Sequence, residues 1–138
     1  DLDHGEAVLC RLVAERDVLV QPYLPSVERY GERAMVWIDG EFTHAVRKTP
    51  RFAEGVEQVS EAMPLTDAER AVGTAALAPL AGSLVYARVD VAPDEHGHPQ
   101  IMELELVEPS LFLLQERRAL DRLVAAIVRR IASYRSQL

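Results

Sequence analysis

The clearest alternation of hydrophobic and polar side chains lies in residues 84–110. Residues 84–91 form an apolar, β-branched run, and residues 101–107 alternate apolar with acidic side chains, as a half-buried strand does. Between these runs stand the turn-forming residues Pro93, Asp94, Gly97 and Pro99. The pattern predicts two antiparallel strands joined by a turn.

The polar positions of these two strands predict a cluster of charges. Side chains at i and i+2 share one face of a strand, so Arg88 points the same way as Asp90. By the same rule, Glu103 and Glu105 share one face of the second strand. If the turn centres on residues 96–97, Asp90 lies opposite Glu103. The same register sets Arg88 opposite Glu105.

Such a cluster of three carboxylates and one guanidinium has two interpretations. Like charges that face each other across a ladder repel, and a divalent cation with a preference for oxygen ligands, such as Mg²⁺, would relieve that repulsion. The alternative is a solvated sheet face whose carboxylates meet nearby arginines. Alternation alone favours the solvated face.

Hydrophobic spacing predicts three helices. Residues 6–15 carry apolar side chains at helical spacing. Thr66 and Glu69 form a capping box, which begins a helix that is Ala-rich on its buried side and ends near residue 80. Residues 116–135 form a long amphipathic helix with arginines on its outer side. The core stripe predicted for this helix is Leu120, Leu123, Val124, Ile127 and Ile131.

The remaining strands are predicted near the start of the chain. The apolar residues 18–20 indicate a buried strand, which leads into the stiff, proline-flanked residues 21–25. Asp39-Gly40 is a strong hairpin signal and joins a strand over residues 33–38 to its partner over residues 41–48. One antiparallel sheet covered by helices is an α+β fold.

Two further segments lie near the predicted charge cluster. Residues 52–64 are polar with little periodicity and are predicted to form a loop that orders over a ligand. The apolar run 111–114 is expected to pack below the site.

Composition narrows the classes of function. The 138 residues make one domain or part of one, and the chain starts without Met in a loop-like sequence, so we expect a fragment of a larger protein. The net charge of −7 argues against general binding of nucleic acid or anionic membranes. No apolar run reaches membrane-spanning length, and no signal peptide is visible. The single cysteine, Cys10, suits a reducing, cytoplasmic compartment, and no Walker-type Gly-x-x-x-x-Gly-Lys loop is present.

Three short motifs, in order, resemble the metal-binding end of ATP-grasp enzymes such as D-alanine–D-alanine ligase and bacterial glutathione synthetase. They are Arg88-Val89-Asp90, Glu103-Leu104-Glu105 and Pro109-Ser110. Glu105 stands where Asn is common in that family. The resemblance covers roughly residues 18–110, and it implies that residues 1–138 form the C-terminal lobe of an ATP-grasp fold without its N-terminal lobe.

The resemblance also implies a role for several residues. Those implied for binding Mg²⁺ or Mn²⁺ are Asp90, Glu103 and Glu105. Those implied for stabilising the anionic intermediate and the transferred phosphoryl group are Arg88, Lys48 and Arg47. Those implied for the adenine and ribose of ATP are Gln21, Tyr23, Leu24, Glu28 and Glu32. Those placed to touch substrate are Glu108, Ser110 and His44.

Each role has a structural alternative. The alternative for Lys48 and Arg47 is an exposed basic strand end, and for Glu28 surface charge is favoured over contact with the nucleotide. Glu108 and Ser110 read as a turn cap, and His44 as a structural histidine.

The activity implied is an ATP- and Mg²⁺-dependent ligase that joins a small-molecule carboxylate to an amine or similar nucleophile through an acyl phosphate. The missing lobe would act in cis or as another chain, the isolated chain is expected to be inactive, and a homodimer is left open. One alternative is a non-catalytic nucleotide-binding, metal-binding or partner module that retains the lobe. Another is a Mg²⁺ or Ca²⁺ protein that binds no nucleotide.

Overall fold

The computed structural model describes residues 2–49, 58–80 and 82–136. In chain order the elements are α1 (Leu2–Glu15), α2 (Ser26–Arg29), β1 (Glu32–Ile38), β2 (Glu41–Lys48), α3 (Asp67–Leu77), β3 (Tyr86–Pro93), β4 (Pro99–Glu105) and α4 (Arg117–Arg135). Among the helices of these ranges, none combines the length and hydropathy that a bilayer-spanning helix requires.

The strands form one antiparallel sheet in the order β2-β1-β3-β4. β1 and β2 are joined at Asp39-Gly40, where both residues have positive φ (48° and 97°), as the favoured two-residue hairpin turn requires. In the turn between β3 and β4, the Asp94 carboxylate accepts hydrogen bonds from the backbone N–H groups of His96 at 2.9 Å and His98 at 2.8 Å. The α+β class and both hairpins are therefore confirmed.

The two faces of the sheet differ in how they are covered. The face under α3 holds the larger core, made of Met35, Trp37, Phe42, Ala45, Leu77, Ala87, Val89 and Val91. The face under α4 holds a smaller cluster of Val36, Ile38 and Ala119, against which residues 111–113 pack. The prediction that the whole run 111–114 packs is wrong for Leu114, which is 99% exposed. Because this cluster lies at the Ile38 end of β1, the Glu32 end of the same face is left to polar side chains.

The capping box predicted at the start of α3 is confirmed. Thr66 Oγ1 accepts a hydrogen bond from the Glu69 N–H at 3.2 Å, and the Glu69 carboxylate accepts one from the Thr66 N–H at 2.8 Å. The prediction of an Ala-rich buried side is wrong, because the buried residues of α3 are Glu69, Gly73 and Leu77. A Cβ at Gly73 would lie 2.5 Å from Phe42 Cζ, so this glycine permits the close approach of helix and sheet.

A buried ion pair ties α3 to β1. Arg33 Nε and Nη2 donate to the two carboxylate oxygens of Glu69 at 2.8 and 3.1 Å, and Nη2 also donates to the Pro64 carbonyl at 2.8 Å. Burial works to raise the pKa of Glu69, but Arg33 and the Thr66 backbone outweigh it and hold that pKa below its usual value. The pair therefore stabilises the fold above the ordinary glutamate pKa, and this stability is lost as pH falls through the lowered pKa.

We expect Glu69→Gln to lower the free energy of unfolding by about 3 kcal/mol near neutral pH, because it leaves the Arg33 charge buried without its partner. Urea denaturation should show the difference from wild type shrinking in acid, where Glu69 of the wild type becomes protonated. The matched control is Asp67→Asn, an exposed acid in the first turn of the same helix. A difference that does not change with pH would contradict the ion pair as its source.

The helix α4 faces the sheet with a different side from the one predicted. Its buried residues are Ala119 and Ala126, and of the predicted stripe only Leu123 packs against the core. The other members of that stripe, Leu120, Val124, Ile127 and Ile131, are exposed.

Arginine hydrogen bonds account for this orientation of α4. Arg122 donates to the backbone carbonyls of Ile38 at 2.8 Å and Asp39 at 2.7 Å, and it pairs with Glu41 at 2.7 Å. Arg129 pairs with the Asp39 carboxylate. Positions 119, 122, 126 and 129 share one helix face. The hydrogen bonds from Arg122 to the carbonyls of the β1–β2 hairpin therefore orient this face toward the sheet, and the apolar stripe lies away from it.

The prediction of a buried strand over residues 18–20 is also wrong. Leu19 is 89% exposed and Val20 is 68% exposed, and neither belongs to the sheet. The free edge of β2 is instead approached by residues 58–63, with bridges from Val59 to Lys48 and from Met63 to Ala45. The earlier part of the predicted loop over residues 52–64 lies outside the described residues. The predicted helix over residues 6–15 is present and begins at Leu2.

Candidate active site

The register between β3 and β4 brings the predicted charged residues together. Asp90 pairs with Glu103 and Arg88 pairs with Glu105, as predicted. The turn itself centres on residue 96, where Pro93 pairs with Pro99, and a shift of register between Asp90 and Val91 brings Asp90 opposite Glu103. Val89, between the two β3 positions, lies in the core under α3, so Arg88 and Asp90 point to the opposite face. The cluster thus occupies the polar end of the face that α4 leaves open.

Arg88 is the centre of this cluster. Its Nε and Nη2 donate to the two oxygens of Asp90 at 2.8 and 3.0 Å. Its Nη2 also lies 3.2 Å from Glu103 Oε2, and its Nη1 lies 2.8 Å from Glu105 Oε2. Burial works to lower the pKa of Arg88, but Asp90 and then the two glutamates raise it. One buried guanidinium therefore holds three carboxylates from two strands.

Lys48, at the end of β2, reaches the same carboxylates from across the sheet. Its Nζ pairs with Asp90, which is fully buried, and lies 3.0 Å from Glu32 Oε2. Glu32 and Lys48 are partners in the β1–β2 register. Burial works to lower the pKa of Lys48, but Asp90 and then Glu32 outweigh it and raise that pKa, so the side chain is cationic.

A cavity of about 570 Å³ opens onto this cluster. The residues that line it are Lys48, Val59, Arg88, Glu103, Glu105, Glu108, Ser110 and Phe112. Six of these were chosen from the sequence as site residues, and the structure brings them to one concave surface. Their individual roles remain predictions.

Sequence reasoning missed the parts of Val59 and Phe112 in this lining. Phe112 was expected only to pack below the site, and its φ of 47°, like the 58° of Glu108, turns the loop after β4 toward the cavity. Positive φ at residues other than glycine is uncommon and tends to occur where a site demands a particular backbone. No sequence pattern marks the positive φ of Glu108 or Phe112, because neither residue is a glycine or an asparagine.

Arg47 and His44 are not brought to the cavity. The Arg47 guanidinium lies 5.3 Å from the ring centroid of Tyr30, since neighbouring residues of a strand point to opposite faces. His44 is buried, with Nδ1 2.9 Å from Thr43 Oγ1, and its Nε2 has no hydrogen-bond partner in the described part of the chain. Burial lowers the pKa of His44, and the opposing effects of Glu116 and the Phe112 backbone offset this lowering only in part.

The residues predicted to hold adenine and ribose are also outside the cavity lining. Gln21 and Tyr23 are exposed, Leu24 is half-buried, and the Tyr23 hydroxyl donates to Glu28. Glu32 alone of this group contacts the charge cluster, through Lys48.

The fit of the cluster to a divalent cation rests on its charge and its donor atoms. Four carboxylates (Glu32, Asp90, Glu103, Glu105) meet two cations (Lys48, Arg88), which leaves a formal charge of −2. Carboxylate oxygens are the ligands that Mg²⁺ prefers. No group of three potential ligand side chains in residues 2–49, 58–80 and 82–136 is arranged to hold a metal ion, and Asp90 is paired with both Arg88 and Lys48.

Comparison with known proteins gives a consistent assignment of the fold. No protein-family model matches the chain. The chain is 33% identical to the cycloserine biosynthesis protein DcsG of Streptomyces lavendulae, over 89% of this chain and 46% of DcsG. The crystal structure of D-cycloserine synthetase DcsG matches with a TM-score of 0.68 and 36% identity, over 80% of this chain and 41% of that one.

Two more distant structures are similar in fold alone. The D-alanine–D-alanine ligase of Bacillus anthracis, complexed with ATP, matches at a TM-score of 0.52 and 19% identity, over 100% of this chain and 48% of that one. The ATP-grasp ligase PsnB, complexed with minimal precursor, matches at 0.50 and 21%, over 70% of this chain and 35% of that one.

These similarities show that the chain shares the fold of ATP-grasp ligases, and the order of its motifs agrees with that fold. Both its sequence and its structure are similar to DcsG at more than 30% identity. The chain spans less than half the length of the relatives it matches.

Proposed function

We propose that this chain supplies the C-terminal half of the active site of an ATP- and Mg²⁺-dependent ligase. The reaction would join a small-molecule carboxylate to an amine or similar nucleophile. The carboxylate oxygen bonds to the γ-phosphorus of ATP and ADP leaves. The nitrogen then bonds to the acyl carbon, gives up a proton, and phosphate leaves with the former carboxylate oxygen.

The observation that carries this proposal is the shared cavity, where Lys48 and Arg88 stand beside Glu103 and Glu105. Phosphoryl transfer needs positive charge over the transferred oxygens. Mg²⁺, if held by Glu103 and Glu105, would supply further positive charge against the charge that develops on the phosphates. A site with both cations and carboxylates in one cavity provides for each demand.

In this mechanism, two side chains of the cavity have distinct tasks. Arg88 is held in place by three carboxylates, so its guanidinium would already be oriented to donate a hydrogen bond to the anionic acyl phosphate. Lys48 is a point charge on a flexible stem and would meet the transferred phosphoryl group. Glu103 and Glu105 line the cavity and would hold the metal together with Asp90.

The residues proposed to contact the substrate and those proposed to contact adenine lie in different parts of the chain. Glu108 and Ser110 line the cavity beyond the two β4 glutamates and would contact the substrate. Residues 21–24 and Glu28 lie outside it and would meet adenine only if the rest of the nucleotide site comes from a further lobe, in cis or as another chain. The similarity to DcsG favours a substrate chemically close to that of a D-cycloserine synthetase.

The proposal is tested by calorimetric titration of Mg·ATP into wild type and Glu103→Gln, combined with hydroxylamine trapping of the acyl phosphate. We expect the variant to lose about tenfold or more in Mg·ATP affinity, because even outer partners of metal ligands are worth that much. The matched control is Glu95→Gln, an exposed glutamate in the β3–β4 turn, for which wild-type affinity is expected.

Equal binding by Glu103→Gln and wild type would remove the metal assignment. Tight Mg·ATP binding without a trapped hydroxamate, in protein that carries every lobe, would favour a non-catalytic nucleotide-binding module.

A further inference from the structure

Asp90 is paired with two cations, Arg88 and Lys48, and its contacts with them differ. Both carboxylate oxygens of Asp90 are paired with Arg88, and one of them is also paired with Lys48. A fully buried carboxylate cannot give up such partners without compensation. A divalent ion can therefore reach Asp90 only if it replaces one of these two cations.

Arg88 is poorly suited to leave. Its planar fork is shared among Asp90, Glu103 and Glu105, so a departure would break the pairing of three carboxylates at once. Lys48 has no such constraint. It is a single ammonium on a flexible stem, it already has Glu32 as a second acceptor at 3.0 Å, and it lines the cavity into which it would move.

From this asymmetry we propose that Lys48 is an exchangeable counter-ion of Asp90, which competes with the divalent cation and gives way to it. The inference rests on the proposed function and deepens it. In the absence of nucleotide, Lys48 weakens metal binding. When a polyphosphate enters the cavity, Lys48 moves to the phosphate oxygens and the divalent ion takes its place at Asp90, so metal and nucleotide strengthen each other's binding.

The composition of the chain makes this exchange measurable. Lys48 is the only lysine in the sequence, and the other fourteen of its fifteen Lys and Arg residues are arginines. Within these 138 residues, an amine-specific reagent therefore labels a single side chain. The adjacent Arg47 has the same formal charge but lies on the other face of β2 against Tyr30, so it provides a matched control.

The first experiment titrates Mn²⁺ alone into wild type, Lys48→Met and Arg47→Met. We expect Lys48→Met to bind Mn²⁺ at least about fivefold more tightly than wild type, since the competing cation is gone. Arg47→Met should stay within about twofold of wild type, because a charge on the far face acts only through screened, long-range attraction. Equal or weaker binding by Lys48→Met would overturn the exchange, as would an equal gain in both variants.

The second experiment uses wild type only and so does not depend on the folding of a variant. The acylation rate of Lys48, read by mass spectrometry of the peptide that contains it, should rise several-fold as Mn²⁺ saturates the site. Bound Mn²⁺ with an unchanged rate would overturn the exchange but leave the proposed metal site intact. Absence of Mn²⁺ binding in all three proteins, with or without ATP, would overturn both.

Discussion

Replacing Arg88 with methionine is expected to lower the free energy of unfolding by about 3–5 kcal/mol, because it leaves a buried carboxylate without its main partner. Asp90 is fully buried and would keep only Lys48, while Glu103 and Glu105 would lose the guanidinium that separates them. Methionine conserves much of the side-chain volume, so the loss reports charge more than packing. Urea denaturation measures it directly.

The control for Arg88 is Arg117→Met, which removes an exposed arginine at the start of α4 and should change stability by less than about 0.5 kcal/mol. A double variant separates charge from packing. Adding Asp90→Asn to Arg88→Met should cost less than Asp90→Asn alone, since the unpaired carboxylate is then gone. Additive losses would show that the guanidinium contributes through packing and not through the pairing described above.

Gly31→Ala is expected to be the other strongly destabilising change, with a loss of about 2–5 kcal/mol. Gly31 has a φ of 83°, and a Cβ built there would lie 2.0 Å from the backbone carbonyl oxygen of Lys48. The added methyl group must push the end of β2 away. Because Lys48 stands at that end, we also expect weaker binding of Mg·ATP in calorimetry.

The matched control for Gly31 is Gly97→Ala. Gly97 has the same φ of 83°, but a Cβ there would meet nothing within 4 Å, so only the conformational cost of about 1–2 kcal/mol is expected. The difference between the two variants isolates the contact with Lys48. Equal losses would mean that the backbone of Gly31 relaxes freely, and that it does not position Lys48.

Local signals predicted much of the fold. Asp39-Gly40 determines its hairpin because two adjacent residues at positive φ suffice to reverse the chain. The turn at residues 94–98 reverses the chain between β3 and β4, although a shift of register between Asp90 and Val91 is also needed to bring Asp90 opposite Glu103. The capping box of Thr66 and Glu69 spans three residues and needs no tertiary contact. Each of these predictions depends on neighbours in sequence.

Predictions failed where the outcome depended on distant partners. The hydrophobic stripe of α4 predicted its core face. The orientation of the helix instead depends on a hydrogen bond from Arg122 to the backbone carbonyl of Ile38, which is 84 residues away in the sequence. Residues 18–20 have strand composition, but the free edge of β2 is approached by residues 58–63. For Arg47 a local pattern was sufficient, because the alternation of side chains along a strand already places it on the opposite face of β2 from Lys48.

The sequence by itself determined the hairpins and the resemblance to ATP-grasp enzymes, since both depend on short-range patterns along the chain. Only the tertiary structure decided which cation meets which carboxylate. Lys48 reaches Asp90, 42 residues away, because β1 lies between β2 and β3 and brings both to one face. Strand order is a property of the whole sheet, set by how its two faces are buried, and no local pattern encodes it.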